Sequence, residues 1–222
     1  MSIKAVLFDF DGTLVHSIDL IVKLFMECFQ EQGVEEINES NIRKMIGEPL
    51  EKIARKFSKL INVQKFVASF REKEALLHHT IEFTEKTLPT LESLKSQNLR
   101  LGIISTKPRH MIEKYLQEKG VANFFEILIG GDDVQNPKPD PEPILLACKK
   151  MDLQKNEVIF VGDSLMDCLS AKNTGVIFVG VLTGTANREE LEENGAAYIF
   201  QNIGEISGLI QKISNSKLQK IK

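Results

Sequence analysis

Two aspartates stand one residue apart near the start of the chain, in Asp9-Phe10-Asp11-Gly12-Thr13-Leu14, directly after the apolar run Ile3–Phe8. Strand side chains alternate faces, so residues i and i+2 point the same way. The spacing predicts Asp9 and Asp11 on one side, where a strand gives way to a loop. Paired carboxylates there can bind a cation, and one can attack while the other handles protons. An EF-hand calcium loop is excluded, because that register puts Leu7 and Ile18 at its first and last ligand positions. No G-x-G-x-x-G comes after the first run, and no P-loop occurs.

Doubly wound sheets bind ligands beyond the carboxyl ends of their strands, so the residues just after each later apolar run matter. Ser105-Thr106-Lys107-Pro108 succeeds Leu99–Ile104. Pro137-Lys138-Pro139-Asp140-Pro141 comes after Phe125–Ile129 and the stretch 130–136. Gly162-Asp163-Ser164 and then Asp167 succeed Val158–Val161. Singly, each residue has a plainer reading: Ser105 as a helix N-cap, Lys138 as a solvated lysine, Asp163 as a turn residue, Asp167 as a local cap. Jointly they suit phosphoryl transfer. Asp9 can attack phosphorus once Mg²⁺, held by carboxylates such as Asp9 and Asp163, offsets the repulsion. Ser105, backbone N–H groups and Lys138 can meet the charge that develops on the equatorial oxygens. Asp11 can protonate the leaving oxygen and later deprotonate water.

The elements that would position these groups are legible. Six short apolar runs, Ile3–Phe8, Leu99–Ile104, Phe125–Ile129, Val158–Val161, Val176–Val181 and Ala197–Phe200, alternate with helical patterns after the first. That is the signature of a parallel sheet covered on both faces, an α/β doubly wound core. Between the first and second runs the chain reads helical. Leu20, Ile21, Leu24, Phe25, Cys28 and Phe29 form one stripe that stops at Gly33. Asn41–Ile46 makes a short helix broken at Gly47-Glu48-Pro49. Ile53, Phe57 and Leu60 mark a third helix, and Phe66, Phe70, Leu77 and Ile81 a fourth. Thr84–Leu88 is expected to return the chain to the core, with Pro89 opening the next helix. The expected organisation is therefore a core of residues 1–14 and 84–222 with an all-helical insertion at 15–83.

With 222 residues and a net charge of -3, the chain has no basic stripe for nucleic acid. Lys212, Lys217, Lys220 and Lys222 suit a solvated terminus. Cys28, Cys148 and Cys168 are widely spaced and lack C-x-x-C pairing, which predicts free thiols in a reducing compartment. The chain opens on a strand, not on a signal peptide, and no run of about 18 apolar residues predicts a membrane span. A cytoplasmic protein, monomeric or weakly dimeric, is expected.

In order and spacing, Asp9-Phe10-Asp11-Gly12-Thr13, Ser105, Lys138 in Lys-Pro-Asp-Pro, and Gly162-Asp163-Ser164-Leu165-Met166-Asp167 resemble the four motifs of the haloacid dehalogenase superfamily. The insertion takes the place of a C1-type cap, and the phosphoglycolate phosphatase-like group is the nearest likeness. The resemblance implies Mg²⁺-dependent hydrolysis of a small phosphate ester through an aspartyl-phosphate. Asp9 would be nucleophile and metal ligand, Asp11 acid/base and ligand through its backbone carbonyl, and Asp163 the other ligand. Ser105, Thr106 and Lys138 would bind the phosphoryl group, and Asp167 would orient Lys138 or a metal-bound water. A carboxylate at 11 favours phosphate chemistry over carbon–halogen cleavage. His16 and Thr106 depart from residues common in relatives, an aspartate and an asparagine; Thr106 keeps its backbone N–H. Neither Lys23 nor Lys44 is marked as a Schiff-base lysine. His78, His79 and His110 lack ligand-like spacing. Arg43, Lys44 and the Gly47-Glu48-Pro49 turn are cap candidates for the leaving group. A sugar phosphomutase, an inorganic pyrophosphatase and, from another class, a phospho-receiver are the alternatives.

Overall fold

A computed structural model describes residues 2–34, 37–57 and 61–218, the side chains of 214–218 excepted. Leu60, Lys217's side chain, Lys220 and Lys222 therefore lie outside the described residues. The six apolar runs become the six strands of one sheet: β1 (Ala5–Phe8), β4 (Arg100–Ile104), β5 (Ile127–Ile129), β6 (Val158–Gly162), β7 (Ile177–Val181) and β8 (Tyr198–Phe200). Their order is β5-β4-β1-β6-β7-β8, and every pairing is parallel. Strand alternation splits the core in two. Val6, Phe8, Ile159 and Val161 pack on one face, and Ala5, Leu7, Val158 and Phe160 on the other. Both faces of β1 are buried, which is why it reads as an unbroken apolar run.

The central strand β1 pairs with β4 on one side and β6 on the other, so the topological switch point lies at its carboxyl end. Phe8 is opposite both Ile103 and Val161. Asp9, Ser105 and Asp163 therefore leave neighbouring strands at nearly one level.

The chain leaves this edge after Leu14 and returns to it at Thr84, whose N–H donates to Leu14 O at 3.0 Å. Two short strands not anticipated from the sequence, β2 (Val15–His16) and β3 (Glu82–Phe83), pair antiparallel at the root of the insertion. Between them lie α1 (Ile18–Gln30), α2 (Glu39–Arg43), α3 (Leu50–Phe57) and α4 (Val63–Leu77). They enclose their own core, with Phe25–Phe70 ring centroids 4.9 Å apart and Phe29–Phe66 4.6 Å apart. Gly33 ends α1's turn at φ +75°. The expected helix at Asn41–Ile46 sits earlier, because Asn38 caps α2 by accepting from Ser40 N at 2.8 Å. Ile81 lies beyond α4 in extended backbone. The next helix, α5 (Thr87–Ser96), starts before Pro89; Thr87 Oγ1 donates to Leu14 O at 2.7 Å and fixes the entry. His16 is exposed on β2. No helix among the described residues is long and apolar enough to cross a membrane. All three cysteines are buried and free.

Candidate active site

The carboxyl edge of β1, β4 and β6 opens on a cavity of about 60 Å³ roofed by the insertion. Asp9, Asp11, Ser105, Thr106, Lys107, Asp163 and Ser164 form the core wall. Gly47, Glu48, Arg71, Glu74 and apolar residues such as Phe25 and Phe70 line the opposite side. One water needs roughly 10–15 Å³, so the cavity suits a small ligand group.

Lys138 is the largest surprise. A lysine in a Pro-rich loop would ordinarily be solvated, yet this one is 2% exposed. Its Nζ donates to Asp9 Oδ1 at 2.7 Å, Asp167 Oδ1 at 2.6 Å and the Ile104 carbonyl at 3.3 Å. Burial alone would lower its proton affinity, but Asp167 and Asp9 outweigh that and hold it above the usual lysine value. Asp167 serves two purposes. Its other oxygen accepts from Ser164 N at 3.1 Å and from Ser164 Oγ at 2.5 Å, completing the capping box of α7 (Leu165–Thr174). Asp167 thus caps a helix and also contacts Lys138.

Asp163 is fixed from two sides. Thr13 Oγ1 donates to Oδ1 at 2.8 Å, and Thr185 N to Oδ2 at 3.0 Å. A Cβ at Gly12 would lie 2.6 Å from Oδ2, and one at Gly184 would overlap the carboxylate. Gly12 also has φ +82°, so only glycine fits there without strain. Ser105 caps no helix: its Oγ accepts from Lys107 N at 3.2 Å, while α6 (Arg109–Glu118) begins further on.

Asp11 does not join the carboxylate cluster. Oxygens of Asp9, Asp163 and Asp167 lie within 4.8 Å of one another. The Asp11 carboxylate turns instead toward Lys107, 3.4 Å from its Nζ, and its Oδ1 is buried without a hydrogen-bond partner. Strand alternation stops governing direction once the chain leaves β1 for the turn closed by Gly12 N to Val15 O. Lys107, Arg71 and Glu74 were not assigned from the sequence. Lys107 lies two residues past Ser105. Glu74 occupies the buried face that also carries Phe66 and Phe70, and a charge in an apolar stripe was the available signal. Lys23, Lys44, His79 and His110 are exposed. His78 bonds Glu118 at 2.7 Å, and Arg43 bonds Asp19 at 2.5 Å, away from the cavity.

The family model for haloacid dehalogenase-like hydrolases matches residues 6–181. The chain belongs to this family. Pyrophosphatase PpaX of Oceanobacillus iheyensis is 32% identical over 211 residues, covering 95% of this chain and 98% of that protein. A haloacid dehalogenase-like family hydrolase from Streptococcus pneumoniae superposes with a TM-score of 0.82 at 26% identity, over 93% of this chain and 98% of that one. A predicted phosphoglycolate phosphatase from Haemophilus somnus gives 0.80 at 23% identity, over 94% and 98%, a likeness of fold alone.

The donor set of this haloacid dehalogenase-like hydrolase suits a hard divalent cation: buried carboxylate oxygens, no sulfur or imidazole. Asp9 Oδ1 takes Lys138 and each Asp163 oxygen takes one donor, which leaves lone pairs on both carboxylates for a cation, whereas Asp167 already takes Lys138 on one oxygen and two Ser164 donors on the other. Without a cation the cluster is self-repelling. Burial first and the Asp167 charge second push Asp163 up to about 7, against Thr13, Thr185 and Lys138. Burial and Asp167 likewise raise Asp9 well above the usual carboxylate value, although Lys138 pulls the other way. A folded-state pKa above the unfolded one means stability that is present at low pH and lost as pH rises through the folded value. In EDTA, the urea midpoint is therefore expected to fall between about pH 5 and about pH 8, and added Mg²⁺ should reduce that fall. A midpoint flat over this range in EDTA would count against the self-repelling cluster.

Proposed function

We propose that this hydrolase is a Mg²⁺-dependent phosphatase acting on a small phosphorylated metabolite through an aspartyl-phosphate on Asp9. The observation that carries this reading is the convergence of Asp9, Asp11, Ser105 and Asp163 on one roofed cavity, with Lys138 bonded to Asp9 behind them. Asp9 attacks phosphorus; its oxygen bonds to phosphorus as the leaving oxygen departs with a proton from Asp11. A water then gives its proton to Asp11 and its oxygen to phosphorus, and the Asp9–phosphorus bond breaks. Ser105, the Thr106 backbone and Lys138 stabilise the equatorial oxygens. Asp9, Asp163 and the Asp11 backbone carbonyl would hold Mg²⁺, which supplies the positive charge that lets a carboxylate approach a phosphate dianion. Asp167 keeps Lys138 aimed at Asp9.

Residues 15–83 act as the cap. Gly47 faces the Ser164 loop so closely that a Cβ there would meet Ser164 Oγ at 3.1 Å. Closure of this kind excludes water and strengthens the electrostatics inside. A small roofed cavity supports a small substrate. The name of the Oceanobacillus relative puts inorganic pyrophosphate beside phosphoglycolate as the first compounds to try. The test is phosphate release across a metabolite panel with Mg²⁺ and with EDTA. Multiple turnovers with Mg²⁺ and none in EDTA are expected. A single phosphorylation without sustained release would support a receiver, and an isomeric sugar phosphate a mutase; either overturns the proposal.

A further inference from the structure

One buried group of charges at the cavity has no part in the chemistry above. Lys107, 7% exposed, stands between the Asp11 carboxylate and Glu74 of α4, to which it is both ion-paired and hydrogen-bonded. Glu74 is 2% exposed. Its second oxygen accepts from Arg71 Nη1 at 2.7 Å. The two oxygens of Glu74 are thus divided between a cation of the core and a cation of the insertion, and all three residues line the cavity that holds Asp9 and Asp11. Among the described residues, Glu74–Lys107 is the ion pair buried on both sides that joins insertion to core.

As a fastener the arrangement gains little, because desolvation offsets most of the attraction and apolar residues of similar volume hold as well. Apolar contact is available next door, where Phe25 and Phe70 line the same cavity. Two cations facing a cavity can do what apolar side chains cannot: receive an anion. Burial favours neutral forms, pushing Glu74 up and Lys107 down, yet their opposite charges prevail and keep both ionised. The cations are therefore available, and a carboxylate already sits on them.

We propose that Lys107 and Arg71 form a second anion subsite beside the phosphoryl site, that Glu74 fills it in the absence of substrate, and that a distal phosphoryl or carboxylate group of the substrate takes the place of Glu74. The inference rests on the phosphatase reading and adds the chemical class of the leaving group. A phosphate ester with no distal anion leaves Glu74 where it is. Selectivity then comes from the resident carboxylate as much as from the two cations.

Arg71 and Glu74 provide the test, since Lys107 also touches Asp11. Steady-state kinetics with Mg²⁺ compare p-nitrophenyl phosphate with inorganic pyrophosphate and phosphoglycolate for the wild type, Arg71→Gln and Glu74→Gln. Arg71→Gln should raise KM about tenfold for the distal-anion substrate, equivalent to about 1.4 kcal/mol, and leave kcat/KM for p-nitrophenyl phosphate within about twofold. Glu74→Gln should lower KM for the distal-anion substrate. Calorimetric titration with phosphonoacetate, against inorganic phosphate as control, reads the subsite without turnover. Arg71→Gln should weaken phosphonoacetate about tenfold and leave phosphate unchanged, and Glu74→Gln should tighten phosphonoacetate. Equal losses on both ligand classes overturn the subsite, as does a Glu74→Gln protein with a lower thermal midpoint and no gain for phosphonoacetate, which would make the pair a fastener. Wild-type protein that hydrolyses none of the three compounds defeats the phosphatase reading instead, and the titration still decides the subsite.

Discussion

Asp9→Asn protein is expected to fold, to bind phosphate, and to lose at least about 10³-fold in turnover of p-nitrophenyl phosphate, since the attacking oxygen is gone. The substitution is nearly isosteric, and it removes a charge that the fold disfavours. Burial, the Asp167 charge and the Asp163 charge all raise the proton affinity of Asp9, and only Lys138 opposes them. At neutral pH without metal, ionising Asp9 costs stability, so the thermal midpoint of Asp9→Asn in EDTA should equal or exceed that of wild type. The stabilisation gained on adding Mg²⁺ should shrink, because one of two carboxylate ligands has been lost. Phosphate release and calorimetric unfolding, with and without Mg²⁺, check both halves. Folded Asp9→Asn protein with undiminished turnover would remove Asp9 from the chemistry.

The legibility of this fold comes from burial. Parallel strands covered on both faces are continuous apolar runs; five of the six runs contain their whole strand, and β6 reaches one residue past its run to Gly162. The apolar character also extends past the ladder, so Ile3, Leu99, Phe125, Val176 and Ala197 precede their strands. Strands β2 and β3 have two residues each, too few to leave a pattern. At the site, strand ends placed Asp9, Ser105 and Asp163 on one edge, as parallel pairing requires. Direction was harder to read than position. Asp11 lines the same cavity as Asp9, yet its carboxylate meets Lys107, and Asp167 completes the acidic cluster instead. Arg71 and Glu74 lie more than sixty positions from Asp9 in sequence, and only tertiary folding brings them over the edge. Glu74 was nonetheless marked, because it lies one helical turn past Phe70 on the buried face.

Lys138→Met should be the most destabilising of the site substitutions and should also cut turnover by at least about 10²-fold. The lysine is a bridge between two buried carboxylates, at 2.7 Å from Asp9 and 2.6 Å from Asp167. Methionine matches its length and tolerates the Phe160 ring 5.7 Å from the Nζ position. The loss is therefore electrostatic and not one of volume. Removing one partner from a buried ion pair costs about 3–5 kcal/mol, because the other charge stays behind. In a chain of this size each kcal/mol moves the melting midpoint by roughly 2–4 °C, so a drop of roughly 6–20 °C is expected. The carboxylates set the sign of its pH dependence. Lys138 lowers the proton affinity of Asp9, and without it Asp9 binds a proton more readily. The deficit should shrink as pH falls toward about 5 and grow toward about 8. Adding Asp167→Asn to Lys138→Met removes the second stranded charge, and the pair should recover much of the midpoint without recovering turnover. A double-mutant cycle read by urea denaturation, beside phosphate-release assays, separates the two effects. A Lys138→Met midpoint within about 2 °C of wild type, or an additive cycle, would show that Asp9 and Asp167 do not depend on this cation for their burial.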